Sequence, residues 1–262
     1  MPKLQLPDGV ELHWEERGAG PPVVVTHPCM SVPTAFSALG DELEPDHRVV
    51  VYDARGTGQS TRTGPVDIPT DARDLAALLV ELGEPAVLVA FGDALHRSVE
   101  ASALDPELVA AVVSPGVAAL GSGRDYSGVD DGLASSPAVV GALVQMFESD
   151  YRTGLRTVVE GGNPQFSPQQ VQQRIDEVVA YSPPEATLAR LRGWISHDSR
   201  EAGRALGDKL WMLTFGGNLW FPTELVEAIR RDVPDAHFET VADGAVSRPD
   251  LTAEIVRRIT HC

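Results

Sequence analysis

The first half of the chain alternates short apolar runs with longer amphipathic segments. Five of the short runs are typical of strands: Val10–Glu16, Val23–Thr26, Arg48–Tyr52, Ala86–Ala90 and Val109–Val113. Most of them are nearly continuous in apolar residues, as strands of a parallel sheet are when helices cover both faces. The segment Asp71–Leu82 has apolar residues at helical spacing and predicts a helix that crosses between the third strand and the fourth. This alternation predicts an α/β domain with a mostly parallel sheet.

The pattern changes after the fifth strand. Residues 121–136 are rich in Gly, Ser and Asp, and no strand pattern interrupts the helical patterns that follow them: Ala138–Glu160, Pro168–Tyr181 and Pro184–Ile195. Strand patterns then return at Lys209–Thr214 and His237–Val241, with helical patterns at Thr223–Arg231 and Leu251–Thr260. We therefore expect an α/β fold with about eight strands, helices on both faces of the sheet and an inserted helical cap. The core is expected to comprise residues 1–120 and 200–262, and the cap residues 121–199.

Length and charge narrow the class of protein. A chain of 262 residues suffices for one large α/β domain. The formal net charge of −17 at pH 7 disfavours nucleic acid and anionic membranes as partners, since both require a basic surface. No apolar run reaches the length of about 18 residues that a membrane-spanning helix needs. The residues Met1–Gly9 also lack the pattern of a secretory signal, so we expect a cytoplasmic protein.

Neither a metal nor a cofactor is expected. The two cysteines, Cys29 and Cys262, cannot form a disulfide framework or a metal cage. The histidines and carboxylates show none of the usual metal-ligand spacings, and the glycines around Gly56 and Gly58 do not open a dinucleotide-binding unit. A neutral or cationic small molecule, or a protein, is the more compatible partner. The sequence gives no indication of oligomeric state.

Three landmarks between Gly18 and Pro115 occur in a characteristic order. An apolar strand ends at His27, the turn Asp-Ala-Arg-Gly-Thr-Gly-Gln-Ser covers residues 53–60, and a strand, turn and helix follow at Ala86–Leu104. In this respect the chain resembles the α/β-hydrolase superfamily. The resemblance covers the whole chain except the cap, and it implies an α/β-hydrolase fold.

In that family a nucleophile stands at the apex of a sharp turn between strand and helix, flanked by small residues that let the two elements approach. With Gly92 at the apex, the flanking positions are Ala90 and Ala94, both small, whereas the next register places Phe91 and Leu95 there. Steric fit therefore favours Gly92 at the apex. Glycine removes the reactive oxygen and also relieves the backbone strain that the family's nucleophile tolerates.

The other two members of the family's Ser-His-Asp triad are also missing. Asn218 stands where the resemblance places the acid, and Ala245 or Val246 stands where it places the histidine. Without a nucleophile and its base, ordinary ester hydrolysis is not expected. The missing triad implies that the protein catalyses a different reaction or none.

Asp93 is the candidate for the remaining chemistry. In the related haloalkane dehalogenases, the residue after the apex faces the pocket beside the residue two places after the strand-ending histidine, and these positions are Asp93 and Cys29 here. A helix N-terminus favours an ionised carboxylate, which could act as a general base or bind a cationic group. His96 lies three residues later, a spacing that allows an Asp–His pair on one helix face. The alternatives are that Asp93 merely stabilises the helix and that His96 packs against the cap.

Further residues are candidates for lining the substrate pocket: His27, Cys29, Gly92, Asn218, Trp220 and His197. His27 is followed by Pro28 where the family usually has glycine, which stiffens the loop, and a structural hydrogen-bonding role for His27 is favoured. Cys29 is a nucleophile only if its thiol pKa is lowered, whereas a buried inert cysteine is the usual case. The remaining members of the set are also typical of ordinary cap or core residues.

These patterns lead to one principal expectation and two alternatives. The principal one is an enzyme that uses the α/β-hydrolase pocket for elimination, isomerisation or cyclisation of a small, largely apolar molecule, with Asp93 and His96 as catalytic groups. The first alternative is a ligand-binding protein without catalysis. The second is a hydrolase that uses Asp93 or Cys29, which is disfavoured because no histidine follows the last strand before His261.

Overall fold

The computed structural model describes residues 3–116, 119–121, 137–215, 223–241 and 248–261. In these ranges eight strands form one sheet in the order β1-β2-β4-β3-β5-β6-β7-β8. The strands are β1 (Lys3–Gln5), β2 (Glu11–Arg17), β3 (Pro22–Thr26), β4 (Arg48–Tyr52), β5 (Ala86–Ala90), β6 (Val109–Pro115), β7 (Leu210–Phe215) and β8 (His237–Val241). The β1–β2 and β2–β4 pairs are antiparallel and the other pairs are parallel. The predicted mostly parallel sheet of about eight strands is confirmed.

Ten α-helices accompany the sheet in the same ranges. They are α1 (Ser37–Leu43), α2 (Ile68–Leu82), α3 (Ala94–Leu104), α4 (Pro137–Ser149), α5 (Tyr151–Gly162), α6 (Pro168–Tyr181), α7 (Pro184–Ser196), α8 (Arg200–Leu206), α9 (Thr223–Asp232) and α10 (Pro249–Thr260). None of the helices in the described part of the chain is long and apolar enough to cross a membrane.

Helices cover both faces of the sheet, which explains the continuous apolar character of its strands. Successive side chains of a strand point to opposite faces. In β5, Leu88 belongs to an apolar cluster with residues of α2, α3, α8 and α9, whereas Val87 and Val89 belong to a second cluster with residues of α1 and α10. Both sets of side chains are buried, so no position in the strand has to be polar.

Some elements differ from the expectations drawn from the sequence. The strand β1 and the helices α1 and α8 were not predicted, because segments of three to seven residues are too short to show a periodic pattern. The helical pattern at Ala138–Glu160 is divided into α4 and α5. Asp150 makes the break: its backbone is extended, and its side chain accepts hydrogen bonds from the amides of Arg152 and Thr153 as the N-cap of α5.

In the described residues five α-helices, α4 to α8, lie between β6 and β7. We call the first four of them, residues 137–196, the insertion. Its helices share an apolar cluster that includes Phe147 and Ile175, and Cys29 from the loop after β3 joins that cluster. The amide of Ser199 donates to the carbonyl of Leu120 at 2.8 Å. This hydrogen bond joins the segment before the insertion to the segment after it. The division into a core and a cap at residues 121 and 199 stays a prediction.

A buried ion pair holds the insertion on the sheet domain. Nε and Nη2 of Arg190 in α7 donate to Asp71 in α2 at 2.6 and 2.9 Å, and both side chains are 2% exposed. Nη2 of Arg190 also donates to the carbonyl of Arg55 at 2.7 Å. Because the two parallel bonds require a planar fork, this contact fixes the orientation of α7 above the turn that follows β4.

Candidate active site

The turn between β5 and α3 is built around Gly92, and we call residues 91–93 the elbow. Gly92 has a φ of +56°, a conformation that glycine adopts without the Cβ penalty of other residues. Ala90 and Ala94 on either side are fully buried. A Cβ built on Gly92 would meet the Cβ of Pro28 at 3.4 Å, with no other described atom within 4 Å. Among the described residues, a Cβ at the apex would therefore make an ordinary contact with Pro28 and no clash.

Asp93 follows the apex and connects α3 to the loop after β3. Its Oδ1 accepts a hydrogen bond from the amide of Cys29 at 2.9 Å, and among the described residues its side chain makes no capping bond to its own helix. Its Oδ2 lies 3.8 Å from Nη1 of Arg97, one helical turn later, and both side chains are nearly inaccessible to solvent. Arg97 also donates to the carbonyl of His27. Asp93 is thus held from two sides, and Arg97 balances its charge.

Burial sets the protonation of the acidic groups at the elbow. It raises the pKa of Asp93 above its ordinary value, although the positive charge of Arg97 opposes this shift. It also raises the pKa of the Cys29 thiol well above its ordinary value, and the neighbouring Asp93 carboxylate adds to the effect. Cys29 is therefore a protonated thiol at neutral pH, which makes it a poor nucleophile.

Asp93 and His96 do not form the expected pair. The His96 ring is fully buried, and its Nδ1 lies 2.9 Å from the hydroxyl of Ser199. Asp93 precedes the first turn of α3 and turns its carboxylate toward Cys29, so the side chain that reaches it is Arg97, four residues later. His96 points instead toward the residues that follow the insertion.

His96 lies beside His197, which is also a candidate site residue. Their rings are 6.1 Å apart and nearly perpendicular, and Nε2 of His197 is 2.9 Å from Oε1 of Glu100. Burial, with a smaller contribution from the adjacent His197, lowers the pKa of His96 to about 4, so the ring is neutral at neutral pH. The two histidines form a group at the exit of the insertion, while Asp93, Gly92, Cys29 and His27 form another at the elbow.

His27 connects the elbow to the insertion through Tyr181. Its Nε2 lies 2.9 Å from the Tyr181 hydroxyl, which donates to Oδ1 of Asp53 at 2.8 Å. Burial lowers the pKa of His27 to about 3, and the charge of Arg97 contributes to the shift. Burial raises the pKa of the Tyr181 hydroxyl well above its ordinary value. A neutral imidazole and a protonated phenol thus meet where the last turn of α6 covers the strand ends.

Three further residues at the site had not been singled out in the sequence. Arg97 could have been found, since its spacing of four residues from Asp93 is that of an ion pair on a helix. Tyr181 and Arg190 lie 154 and 119 residues from their partners His27 and Asp71, and no local pattern indicates such contacts. The candidates Asn218 and Trp220, and the pair Ala245 and Val246, lie outside the described residues.

In the ranges that the structure describes, no group of three or more His, Cys, Asp or Glu side chains is arranged to hold a metal ion. The polar atoms at the elbow bind one another instead.

Comparison with known proteins identifies the fold. No protein-family model matches the chain. An esterase from Exiguobacterium antarcticum superposes with a TM-score of 0.81 at 18% identity, over 98% of each chain. A bromoperoxidase from Bacillus anthracis gives 0.79 at 18% identity, over 97% of this chain and 96% of its own. MGS-M2, an α/β-hydrolase enzyme from a Medee basin deep-sea metagenome library, gives 0.78 at 12% identity, over 100% of this chain and 98% of its own.

A mostly parallel eight-stranded sheet, covered by helices on both faces and turning sharply between β5 and α3, defines the class of architecture. Together with these likenesses, it shows that the chain has the α/β-hydrolase fold. The resemblance inferred from the sequence is confirmed for the fold.

Proposed function

We propose that this protein is an enzyme that converts a small molecule at the elbow without a nucleophile at the apex. The observation that carries the proposal is Gly92, which occupies the apex with a φ of +56° and carries no side chain. In the α/β-hydrolase fold the apex side chain is the group that attacks the substrate. Glycine keeps the shape of the turn and offers no attacking atom.

Proton transfer through Asp93 is the chemistry we assign to the site. A carboxyl group with a raised pKa is a stronger base than an ordinary one, and Asp93 has that property because it is buried. Abstraction of a proton from carbon by this carboxylate, with return of the proton elsewhere, is an isomerisation, and loss of a leaving group instead is an elimination. Cyclisation follows when the deprotonated atom attacks an electrophilic carbon of the same molecule, whose leaving group departs or whose π bond takes up the electron pair. A small, largely apolar molecule is the substrate class we assign.

Hydrolysis by another residue is disfavoured. Cys29 is buried and its thiol pKa is raised well above its ordinary value, partly by the neighbouring Asp93 carboxylate, so the attacking thiolate is scarcely populated at neutral pH. Hydrolysis through Asp93 would require a histidine to activate water, and the sequence has none between His237 and His261.

A second candidate is a ligand-binding protein without catalysis. It is favoured by the hydrogen bond from the amide of Cys29 to Asp93 and by the low exposure of the carboxylate, which is 4%. A base that is already engaged in this way must be released before it can reach a substrate. A binding protein has no such requirement.

The two candidates are distinguished by what happens to the ligand. The protein is incubated with a small-molecule extract of its source, complexes are detected by native mass spectrometry, and released molecules are identified by chromatography. Release of an altered molecule by the wild type supports the enzyme, and release of an unaltered one supports the binding protein. A flat response with generic aryl esters is expected in either case, and ester cleavage lost in Cys29→Ser would overturn both.

The role of Asp93 is tested on the molecule so identified. Asp93→Asn is expected to abolish conversion, because an amide cannot accept the proton. The matched control is Asp105→Asn at the other end of α3, which should convert the substrate at the wild-type rate. Undiminished conversion by Asp93→Asn would show that another group is the base.

A further inference from the structure

Three buried side chains carry polar atoms that have no hydrogen-bond partner among the described residues. The atoms are the hydroxyl of Tyr52, Nε of Arg97 and Nη1 of Arg190, and we call these three residues the donor group. Each residue is at most 3% exposed. A buried donor that has lost water without gaining an acceptor is unfavourable. An acceptor oxygen placed among these atoms would therefore gain hydrogen bonds that the described residues do not use.

The topology brings the donor group together at the carboxyl ends of β3 and β4. Tyr52 is the last residue of β4 and packs in the apolar cluster shared with α2 and α3. From α3, Arg97 donates to the carbonyl of His27, just after β3, and from α7, Arg190 donates to the carbonyl of Arg55, just after β4. Because β3 and β4 are adjacent parallel strands, these ends lie side by side. The charges of both arginines oppose the rise in the pKa of Tyr52 that burial causes.

Two acids balance the charge of the donor group. Asp71 accepts two hydrogen bonds from Arg190, and Oδ2 of Asp93 lies 3.8 Å from Nη1 of Arg97. Among these described groups, two arginines therefore meet two carboxylates. A ligand that brought its own negative charge would leave that charge uncompensated in a buried place. A neutral ligand with an acceptor oxygen avoids this cost.

The backbone offers such an oxygen less than the side chains do. In the α/β-hydrolase fold an amide of the loop after β3 usually helps to bind an oxyanion. Here the amide of Cys29 in that loop donates to Oδ1 of Asp93 at 2.9 Å. The unused donors close to Asp93 are those of the donor group.

We propose that the donor group binds the oxygen of a neutral carbonyl compound whose neighbouring C–H proton is removed by Asp93. This inference rests on the function proposed above and names its substrate class. When the C–H bond breaks, Asp93 takes the proton, the bonding pair forms a carbon–carbon double bond, and the π pair of the carbonyl moves to the oxygen. The negative charge passes from Asp93 to an enolate oxygen beside the two arginines. The total charge of the buried cluster does not change, so no uncompensated charge is created.

The proposal is tested with acetate and acetamide, which share a planar shape and differ in charge. Acetate represents the enolate, and Asp93→Asn represents Asp93 after it has taken the proton. Each compound is titrated near neutral pH into isotopically labelled protein, and amide shifts are followed by nuclear magnetic resonance. Acetate should bind Asp93→Asn at least about 10-fold more tightly than the wild type, since the carboxylate no longer repels it. The affinity for acetamide should change less than about two-fold, and the shifts should centre on residues 27–29, 52–55 and 92–97.

Asp105→Asn separates this local effect from the charge of an acidic protein. It removes the same charge at the other end of α3 and should leave acetate binding as weak as in the wild type. Equal gains in the two variants, or no gain in either, would overturn the proposal.

The hydroxyl of Tyr52 tests the donor group itself. In the Asp93→Asn background, Tyr52→Phe should weaken acetate about 10-fold, the effect of one hydrogen bond to a charged acceptor. Tyr151→Phe is the matched control, because the Tyr151 hydroxyl already lies 3.0 Å from the carbonyl of Ser182 and 2.8 Å from the hydroxyl of Thr187. It should change the affinity less than about two-fold. Acetate binding that does not depend on Tyr52 would overturn the proposal.

A further measurement covers the case in which Asp93→Asn does not fold. In the wild-type background, Tyr52→Phe should weaken acetamide about three-fold, the effect of one hydrogen bond to a neutral acceptor, and an unchanged affinity would overturn the proposal. The underlying function fails in a different way. Conversion retained by Asp93→Asn would overturn that function and the enolate step with it, whereas binding that is indifferent to Tyr52 would overturn the donor group alone.

Discussion

The amide of Cys29 donates a hydrogen bond to the carboxylate of Asp93 at 2.9 Å, across 64 residues of sequence. In the α/β-hydrolase fold, an amide of the loop after β3 usually helps to bind the oxyanion of the reaction. Here an amide of that loop is occupied by a carboxylate from the elbow itself. The bond therefore joins the loop after β3 to the acid that follows the apex, and it occupies one amide of that loop.

Gly92→Ala should destabilise the protein by about 1–2 kcal/mol, because alanine resists a positive φ while its Cβ still fits against Pro28. Gly83→Ala is the matched control, since Gly83 has a φ of +75° and nothing within 4 Å of the added atom. Urea unfolding of both variants should give similar losses. A much larger loss for Gly92→Ala would show that the apex has less room than the contact distance indicates.

Asp93 and Arg97 should be energetically coupled, because each is the nearest charge to the other in a buried environment. Arg97→Met should cost about 3 kcal/mol, since it leaves a buried carboxylate without its cation. The double variant Arg97→Met with Asp93→Asn should lose less free energy of unfolding than the two single variants lose together, by about 1–2 kcal/mol.

The control for this cycle is the exposed pair of Arg152 and Asp176, whose nitrogen and oxygen are 2.6 Å apart. Its coupling energy should be below about 0.5 kcal/mol, because water screens the two charges. Strict additivity for Asp93 and Arg97 in denaturant unfolding would mean that the arginine does not neutralise the carboxylate.

His96 should make the protein less stable in acid. Its pKa is about 4 in the folded chain against 6.5 as a model value, so between these values the unfolded chain binds a proton that the folded chain does not. The contribution of His96 to the free energy of unfolding is therefore fully present above about pH 6.5. It decreases as the pH falls toward 4, by up to about 1.4 kcal/mol per pH unit. His27, with a pKa of about 3, acts in the same direction.

The variant His96→Asn retains a donor near Ser199 and removes the titration. Its loss of unfolding free energy between about pH 7.5 and about pH 5 should be smaller than that of the wild type by about 2 kcal/mol. Identical losses in the two proteins would show that His96 is not held neutral by burial.

Two buried tyrosines should respond differently to loss of the hydroxyl. Tyr181→Phe removes the group between His27 and Asp53 and should cost about 1–2 kcal/mol. Tyr52→Phe should change stability by less than about 0.5 kcal/mol, since the Tyr52 hydroxyl is buried and has no hydrogen-bond partner among the described residues. Thermal unfolding of the two variants provides the measurement, and equal losses would contradict the role given to Tyr181.

Much of the fold could be read from the sequence, because strand and helix periodicity are local properties. The apolar runs located seven strands within one or two residues of their observed bounds in most cases, and the turn at Gly92 followed from the size of its neighbours. The short elements β1, α1 and α8 could not be found in this way. Their conformation depends on the sheet and helices that they pack against rather than on their own pattern.

The sequence by itself determined the strand segments, the run of helices between β6 and β7 and the glycine at the elbow, since each depends on residues that are close together along the chain. Only the tertiary structure decided the partners of the polar groups there. Asp93 binds Cys29 and faces Arg97 rather than His96, and Tyr181 reaches His27 from the insertion. The physical reason is that a buried polar group must find its partner among whatever atoms packing brings near it, and those atoms come from distant segments.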